Sequence, residues 1–186
     1  MKCHCSVLAG LAVAATAAGG ALVATGAVTV DLNLGRSTRP LGPIHRRIEA
    51  PPAIVFDVVA APYLGPTPRA MAAKLHVLER SPAMVLAAHF TPIGFGLRAT
   101  TVETVRFEPP ERVSFRLARG PVPHVAETFE LRDADGATEL VYSGELGADL
   151  WKLGRWWANL VAKSWEQTVN GSLAGIQTES ERRARQ

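Results

Sequence analysis

Residues 149–185 read DLWKLGRWWANLVAKSWEQTVNGSLAGIQTESERRAR, and this stretch decides the fold. Turned by 100° per residue from Leu150, it gathers Leu150, Leu153, Trp157, Leu160, Val161, Ser164, Trp165, Thr168, Ser172 and Gly175 on one side. Lys152, Arg155, Asn159, Lys163, Glu166, Asn170 and Gln177 gather on the other. The pattern predicts one long amphipathic helix from Asp149 to about Arg185. Asp149 is placed to cap its first turn, and Arg182, Arg183 and Arg185 suit the negative end of its dipole. The expected buried side is bulky early and small late. A stripe that thins out either lets a sheet approach closely or leaves a hollow.

Upstream, the period changes to two. Strands are expected over Lys74–Arg80, Met84–Thr91, Leu97–Glu108, Arg112–Arg119, Val122–Arg132 and Thr138–Leu146. Pro109-Pro110 and Asp135-Gly136 mark turns. An earlier strand is expected over Ile44–Ala50. Pro51 and Pro52 then open a helix through Ala60, and a short second helix over Pro68–Ala73 is possible. Consecutive hairpins imply an antiparallel sheet, and its apolar face needs a cover. Only the terminal helix is long enough to supply it, so the class is α+β.

The N-terminal part reads differently. From Ser6 to Val30 there is no charged residue, a run long enough to cross a bilayer. The leading expectation is a membrane anchor over residues 1–30. A cleaved secretory signal, or a disordered or buried segment, are the alternatives. Arg36, Arg39, Arg46 and Arg47 follow the run, whereas Lys2 alone precedes it. That bias places the C-terminal domain in the cytoplasm of a single-pass protein; signal cleavage would make it secreted. Residues 31–43 are expected as a linker, 44–181 as the folded domain and 182–186 as a basic tail. Cys3 and Cys5 are the only cysteines and too close in sequence to pair easily. No His/Cys/Asp grouping has metal spacing, so neither metal nor cofactor is expected. A net charge of +3 in 186 residues, without interleaved aromatics and cations, argues against nucleic acid. Protein partners cannot be read from these patterns.

Three segments, IEAPPAIVFDVVAAP (48–62), TTVETVRFEPPERVSFRL (100–117) and LWKLGRWWANLVAKSWEQTVNGSLAGI (150–176), make the chain resemble the START-like, or SRPBCC, superfamily. Within it, the nearest group is the polyketide cyclase/dehydrase and lipid-transport group. The resemblance covers about Ile44 to Glu181. It implies a helix-grip fold, in which a curved antiparallel seven-stranded sheet surrounds the long C-terminal helix, with an apolar ligand cavity between them. It also implies a binding or transport module for a lipid, quinone or polyketide-like compound. The alternatives are a cyclase/dehydratase-type enzyme and a non-catalytic interaction protein whose core is filled.

Two carboxylates stand out. Glu103 shares a strand side with Val105 and Phe107, and Glu127 with Val125, Phe129 and Leu131. Facing the helix, each would sit among apolar groups, which raises its proton affinity and suits an acid, a base or a hydrogen-bond anchor. A surface arginine partner, a place at the cavity mouth or a one-residue register slip would remove that role. The expected ligand-binding set is Glu103, Glu127, Phe107, Phe115, Phe129, Trp157, Leu160, Ser164 and Thr168. The two glutamates are the catalytic candidates if the protein is an enzyme. His89 and His124 read as isolated histidines.

Overall fold

The structure is a computed structural model and describes residues 17–66, 71–94 and 96–186. Seven strands form one antiparallel sheet: β1 (Ser37–Ile48), β2 (Leu75–Arg80), β3 (Val85–Gly94), β4 (Leu97–Glu108), β5 (Arg112–Arg119), β6 (His124–Ala134) and β7 (Ala137–Ala148). Strands β2 to β7 run as a meander, and β1 pairs beside β7 to give the order β1-β7-β6-β5-β4-β3-β2. Helix α1 (Pro52–Leu64) lies between β1 and β2, and helix α2 (Trp151–Ala184) closes the chain. This is the helix-grip arrangement the resemblance implies.

Strand β1 begins at Ser37 rather than Ile44, so much of the expected linker is sheet. Its Pro40 and Pro43 read as breakers, but an edge strand tolerates proline because one side of its backbone is unpaired. The register shifts between Leu41 and Ile44, where Gly42 has φ +74°, and the edge bends there. Helix α1 continues past its expected end through Pro62 to Leu64. It buries Val55, Phe56, Val59, Ala60 and Tyr63 against the sheet core. Half of the short helix expected over Pro68–Ala73 falls outside the described residues, and residues 71–74 form a turn.

The long helix forms as expected, but its buried stripe is rotated by about one residue, roughly 100°. Gly154, Ala158, Ala162, Val169, Leu173 and Ser180 face inward, whereas Leu153 and Leu160 are more than half exposed. Helix α2 packs on β1, β7 and α1. The small row Gly154–Ala158–Ala162 permits that close seat; a Cβ at Gly154 would collide with the Asp149 carbonyl. A pattern scored on apolar bulk favours Leu153 and Leu160, and close approach favours the small residues instead.

Asp149 does not cap the helix. Leu150 occupies that position with φ +74°, and no side chain caps the first turn. The buried Asp149 carboxylate instead accepts from the backbone N–H groups of Leu32 (2.6 Å) and Asn33 (2.7 Å) and from Arg36 Nε (2.7 Å). It ties the segment before β1 to the start of α2. Leu150 N–H donates to Leu34 O and Trp151 N–H to Gly35 O, which hold the left-handed turn at Leu150 and Trp151 in place.

The continuous span expected over Ser6–Val30 does not hold at its C-terminal end. Residues 6–16 lie outside the described residues. Residues 17–24 are helical, and from Thr25 the chain joins the domain. Thr100 N–H donates to Thr25 O, and the Thr29 hydroxyl donates to Gly120 O. Among the described residues, no helix is long and apolar enough to cross a membrane.

The Arg36 guanidinium holds the Asp149 carboxyl down at about 2, below its ordinary 3.8. The stabilisation is therefore full above pH 3.8 and is lost as pH falls to about 2. Asp149→Asn is expected to cost about 2 kcal/mol at pH 7, the worth of lost charge-assisted hydrogen bonds. Urea denaturation should show this deficit at pH 7 and its disappearance near pH 2.

Candidate functional site

Strand alternation places His89 of β3, Glu103 of β4, Phe115 of β5, Glu127 and Phe129 of β6, and Tyr142 of β7 on the sheet face toward the helices. Tyr63 enters from α1 and Trp165 from α2. The register of β4 and β6 agrees with the sequence reading, so both glutamates point inward, where they are buried. Phe115 separates them: it pairs with Glu127 on one side and with Val105, two residues from Glu103, on the other. Strand spacing puts the two glutamate Cα atoms on the order of 10–12 Å apart.

Glu127 is held by two donors on one oxygen. Tyr142 Oη donates to Oε2 at 2.8 Å and Trp165 Nε1 donates to the same atom at 2.7 Å. Oε1 has no partner among the described residues. The opposing position is Gly144, where a Cβ would stand 2.8 Å from Glu127 Cβ. Such a Cβ would also stand 2.6 Å from Ala126 O, so glycine fits the close approach of β6 and β7 here. At the other end, Tyr63 Oη and His89 Nε2 are 3.0 Å apart. His89 Nδ1 lies 3.2 Å from Glu103 Oε2, without the alignment of a hydrogen bond.

Burial dominates the proton affinities. It pushes Glu127 up to about 8, with the Glu103 charge adding to the effect and the Tyr142 and Trp165 hydrogen bonds opposing it. It pushes Glu103 up to about 7, opposed by a hydrogen bond from Thr101. His89 is lowered to about 4, also by burial, and is neutral at pH 7. Two acids that share one apolar interior, beside a neutral imidazole, can hold, give or take a proton near neutral pH.

The rings of Tyr63, Phe115, Phe129 and Tyr142 form a chain of edge contacts with centroids 5.4–6.0 Å apart. This wall keeps a trace of exposure: 5% at Glu103, 8% at Glu127, 7% at Phe115, Phe129 and Val169. Val105, Val113, Leu140 and Leu146, deeper in the same sheet, have none. Tyr142, at the end of the same row of rings, is fully buried. Two surface clefts, of about 330 and 270 Å³, lie elsewhere, beside Trp151 and beside His45, and neither is lined by Glu103 or Glu127.

Of the other expected site residues, Phe107 is partly buried and packs on Phe56 and Tyr63 at the α1 end. Trp157 is half-buried and donates from Nε1 to Pro121 O at 2.7 Å. Leu160, Ser164 and Thr168 stand on the exposed face of α2 and outside the site, because the helix is rotated. Tyr63 and Tyr142 were not legible as site residues. His89 shares a strand side with Val85 and Ala87 in the sequence, and that inward parity was its only signal. Among the described residues no group of three or more His, Cys, Asp or Glu could hold a metal.

Residues 44–181 match the family described as polyketide cyclase / dehydrase and lipid transport. The chain belongs to this family. No curated protein matches it. Among solved structures, the Zhui aromatase/cyclase from Streptomyces sp. R1128 is similar at TM-score 0.66 and 16% identity, over 79% of this chain and 96% of that one. The protein TTHA0849 from Thermus thermophilus is similar at TM-score 0.59 and 18% identity, over 77% of this chain and 97% of that one. At such identities the likeness speaks for the fold, and the acids and aromatics above are this member's own interior.

Glu127 keeps its proton when folded up to about pH 8, whereas an ordinary carboxyl loses it near 4.5. Its stabilising contribution is full below pH 4.5 and is lost as pH rises to about 8. Urea midpoints of the natural protein are expected to fall across this window, and those of Glu127→Gln to fall much less. Parallel pH curves would refute the burial argument.

Proposed function

We propose that the domain binds a hydrophobic small molecule against the aromatic wall, with the polar end of that molecule at Glu127. One observation carries the reading: a buried carboxyl with a free oxygen, Oε1, stands where a water-sized sphere still reaches. Family membership supports it, since the family description spans cyclases, dehydrases and lipid transport. Apolar area removed from water contributes about 25 cal/mol per Å², and a single directed hydrogen bond fixes orientation. A protonated Glu127 donates to a carbonyl; an ionised one accepts from a hydroxyl.

A second reading, acid–base catalysis of the cyclase or dehydratase type, draws on Tyr63, His89 and Glu103. The neutral imidazole touches the phenol on one side and lies beside a carboxyl poised near pH 7 on the other. In that arrangement Glu103 exchanges a proton with substrate, and His89 positions it.

As part of the same proposal, the apolar run ending at Ala24 tethers the domain beside a bilayer, with the following arginines on the cytoplasmic side. A tether there places the wall next to the phase in which apolar ligands dissolve.

Organic extraction of the purified full-length protein, followed by mass spectrometry, is expected to release a compound with a long apolar part and one hydrogen-bonding head. Glu127→Gln should weaken its rebinding about tenfold, the worth of one directed hydrogen bond. Glu103→Gln that leaves rebinding intact but abolishes conversion of the compound would favour the enzyme. No extractable compound, together with no uptake of the apolar dye Nile red, would overturn both readings.

A further inference from the structure

The rotation of α2 that empties the expected site of Leu160 also creates a surface. Leu153, Trp156 and Leu160 follow at helical spacing and are 61%, 62% and 53% exposed. Trp151, 63% exposed, lies at the start of the same helix over Gly35. Exposed apolar area on this order, several hundred Å², marks an interaction site on a folded domain. None of these side chains serves the acid-lined recess.

Charge says what the surface meets. From Leu150 to Trp165 the helix carries Lys152, Arg155 and Lys163 and no Asp or Glu. The nearby acids are already engaged: Asp149 is buried under Arg36, Asp31 pairs with the same arginine, and Glu166 faces Arg39. Beyond Glu166 the helix mixes both signs, and Glu179 pairs with Arg182 and Arg183. The first half of α2 is thus a cationic, tryptophan-rich ridge, and the second half is not.

The segment that follows the apolar run reaches the domain at this same end. Leu32 N–H meets Asp149 and Leu34 O accepts from Leu150 N–H, so both residues lie beside the first turn of α2. Their side chains are 55% and 52% exposed. Leucines, tryptophans and cations therefore converge on one edge of the domain.

We infer that this edge is a docking surface for an anionic bilayer, on which Trp156, Leu153 and Leu160 enter the interface while Lys152, Arg155 and Lys163 reach the headgroups. Tryptophan prefers the headgroup level, where its ring is apolar and its N–H meets water. Long cationic stems lie along apolar surface and keep their heads at the lipid phosphates. Anionic lipid attracts each cation, and salt screens the attraction. Helix α2 then lies in the plane of the interface by its first half, a mode distinct from a spanning tether. The inference does not depend on what the recess binds.

The full-length protein is tested by co-sedimentation with vesicles of phosphatidylcholine alone and of phosphatidylcholine with about one quarter phosphatidylglycerol. Partitioning is expected to be at least roughly tenfold stronger on the anionic vesicles and to weaken as salt rises from about 50 to about 500 mM. Trp156→Glu combined with Leu160→Glu should remove at least roughly nine-tenths of that binding; both residues are exposed, so folding is retained. Thr178→Glu, on the same helix side but beyond the ridge, should leave binding unchanged. Equal partitioning of the double variant and the natural protein would overturn the inference and assign adhesion to the N-terminal run. Self-association that the double variant abolishes, without vesicle binding, would overturn it in favour of a second copy of this chain. Ligand extraction from the recess is scored separately, so failure of one proposal does not resemble failure of the other.

Discussion

The close seat of α2 on β1 and β7 governs the rest of the structure. Gly154, Ala158 and Ala162 bring the helix axis near one side of the sheet, and bulkier residues there would hold it off. A helix seated over that side does not lie squarely over β4, β5 and β6. The inward faces of those strands are met by Tyr63 from α1 and by Trp165 from α2, each an aromatic ring with a polar tip. The Trp165 tip donates to one oxygen of Glu127, and the Tyr63 tip meets His89 beside Glu103. The same seat turns Leu153, Trp156 and Leu160 to the outside. One packing decision thus sets what meets the acids and what is left outside.

Electrostatics around the two buried glutamates follow from spacing. Two carboxyls two strands apart in an apolar interior cannot both ionise cheaply, since each charge raises the proton affinity of the other. Donors from Tyr142 and Trp165 partly compensate at Glu127, and Thr101 does so at Glu103. The balance leaves Glu103 at about 7 and Glu127 at about 8. His89 stays neutral through the same burial, so it presents one donor and one acceptor, not a charge.

The strand pattern was legible because alternation of period two is directional. Leu97–Glu108 and Arg112–Arg119 were read to the residue, and with that register came the inward orientation of Glu103, Phe115, Glu127 and Phe129. The helix was legible in length but not in phase. Its inward row begins with Gly154, Ala158 and Ala162, not with the leucines. Small residues carry little weight in an apolarity count, yet they alone permit the closest contact. Asp149 read as a cap because its sequence position suits one. Its partners, Leu32, Asn33 and Arg36, are more than a hundred residues away, and no local pattern announces them. Tyr63 and Tyr142 belong to the site only through contacts between distant elements, so their roles were hidden for the same reason.

A fold selected for stability alone has little use for these glutamates. Burying a carboxyl, even protonated, costs more than burying a leucine of similar size unless every polar atom is matched. Glu127 matches one oxygen twice and leaves the other free. Costs that packing does not recover are characteristic of positions kept for what they contact. At Glu127 the unmatched oxygen lies on the side that water reaches, which is the side from which a ligand would arrive.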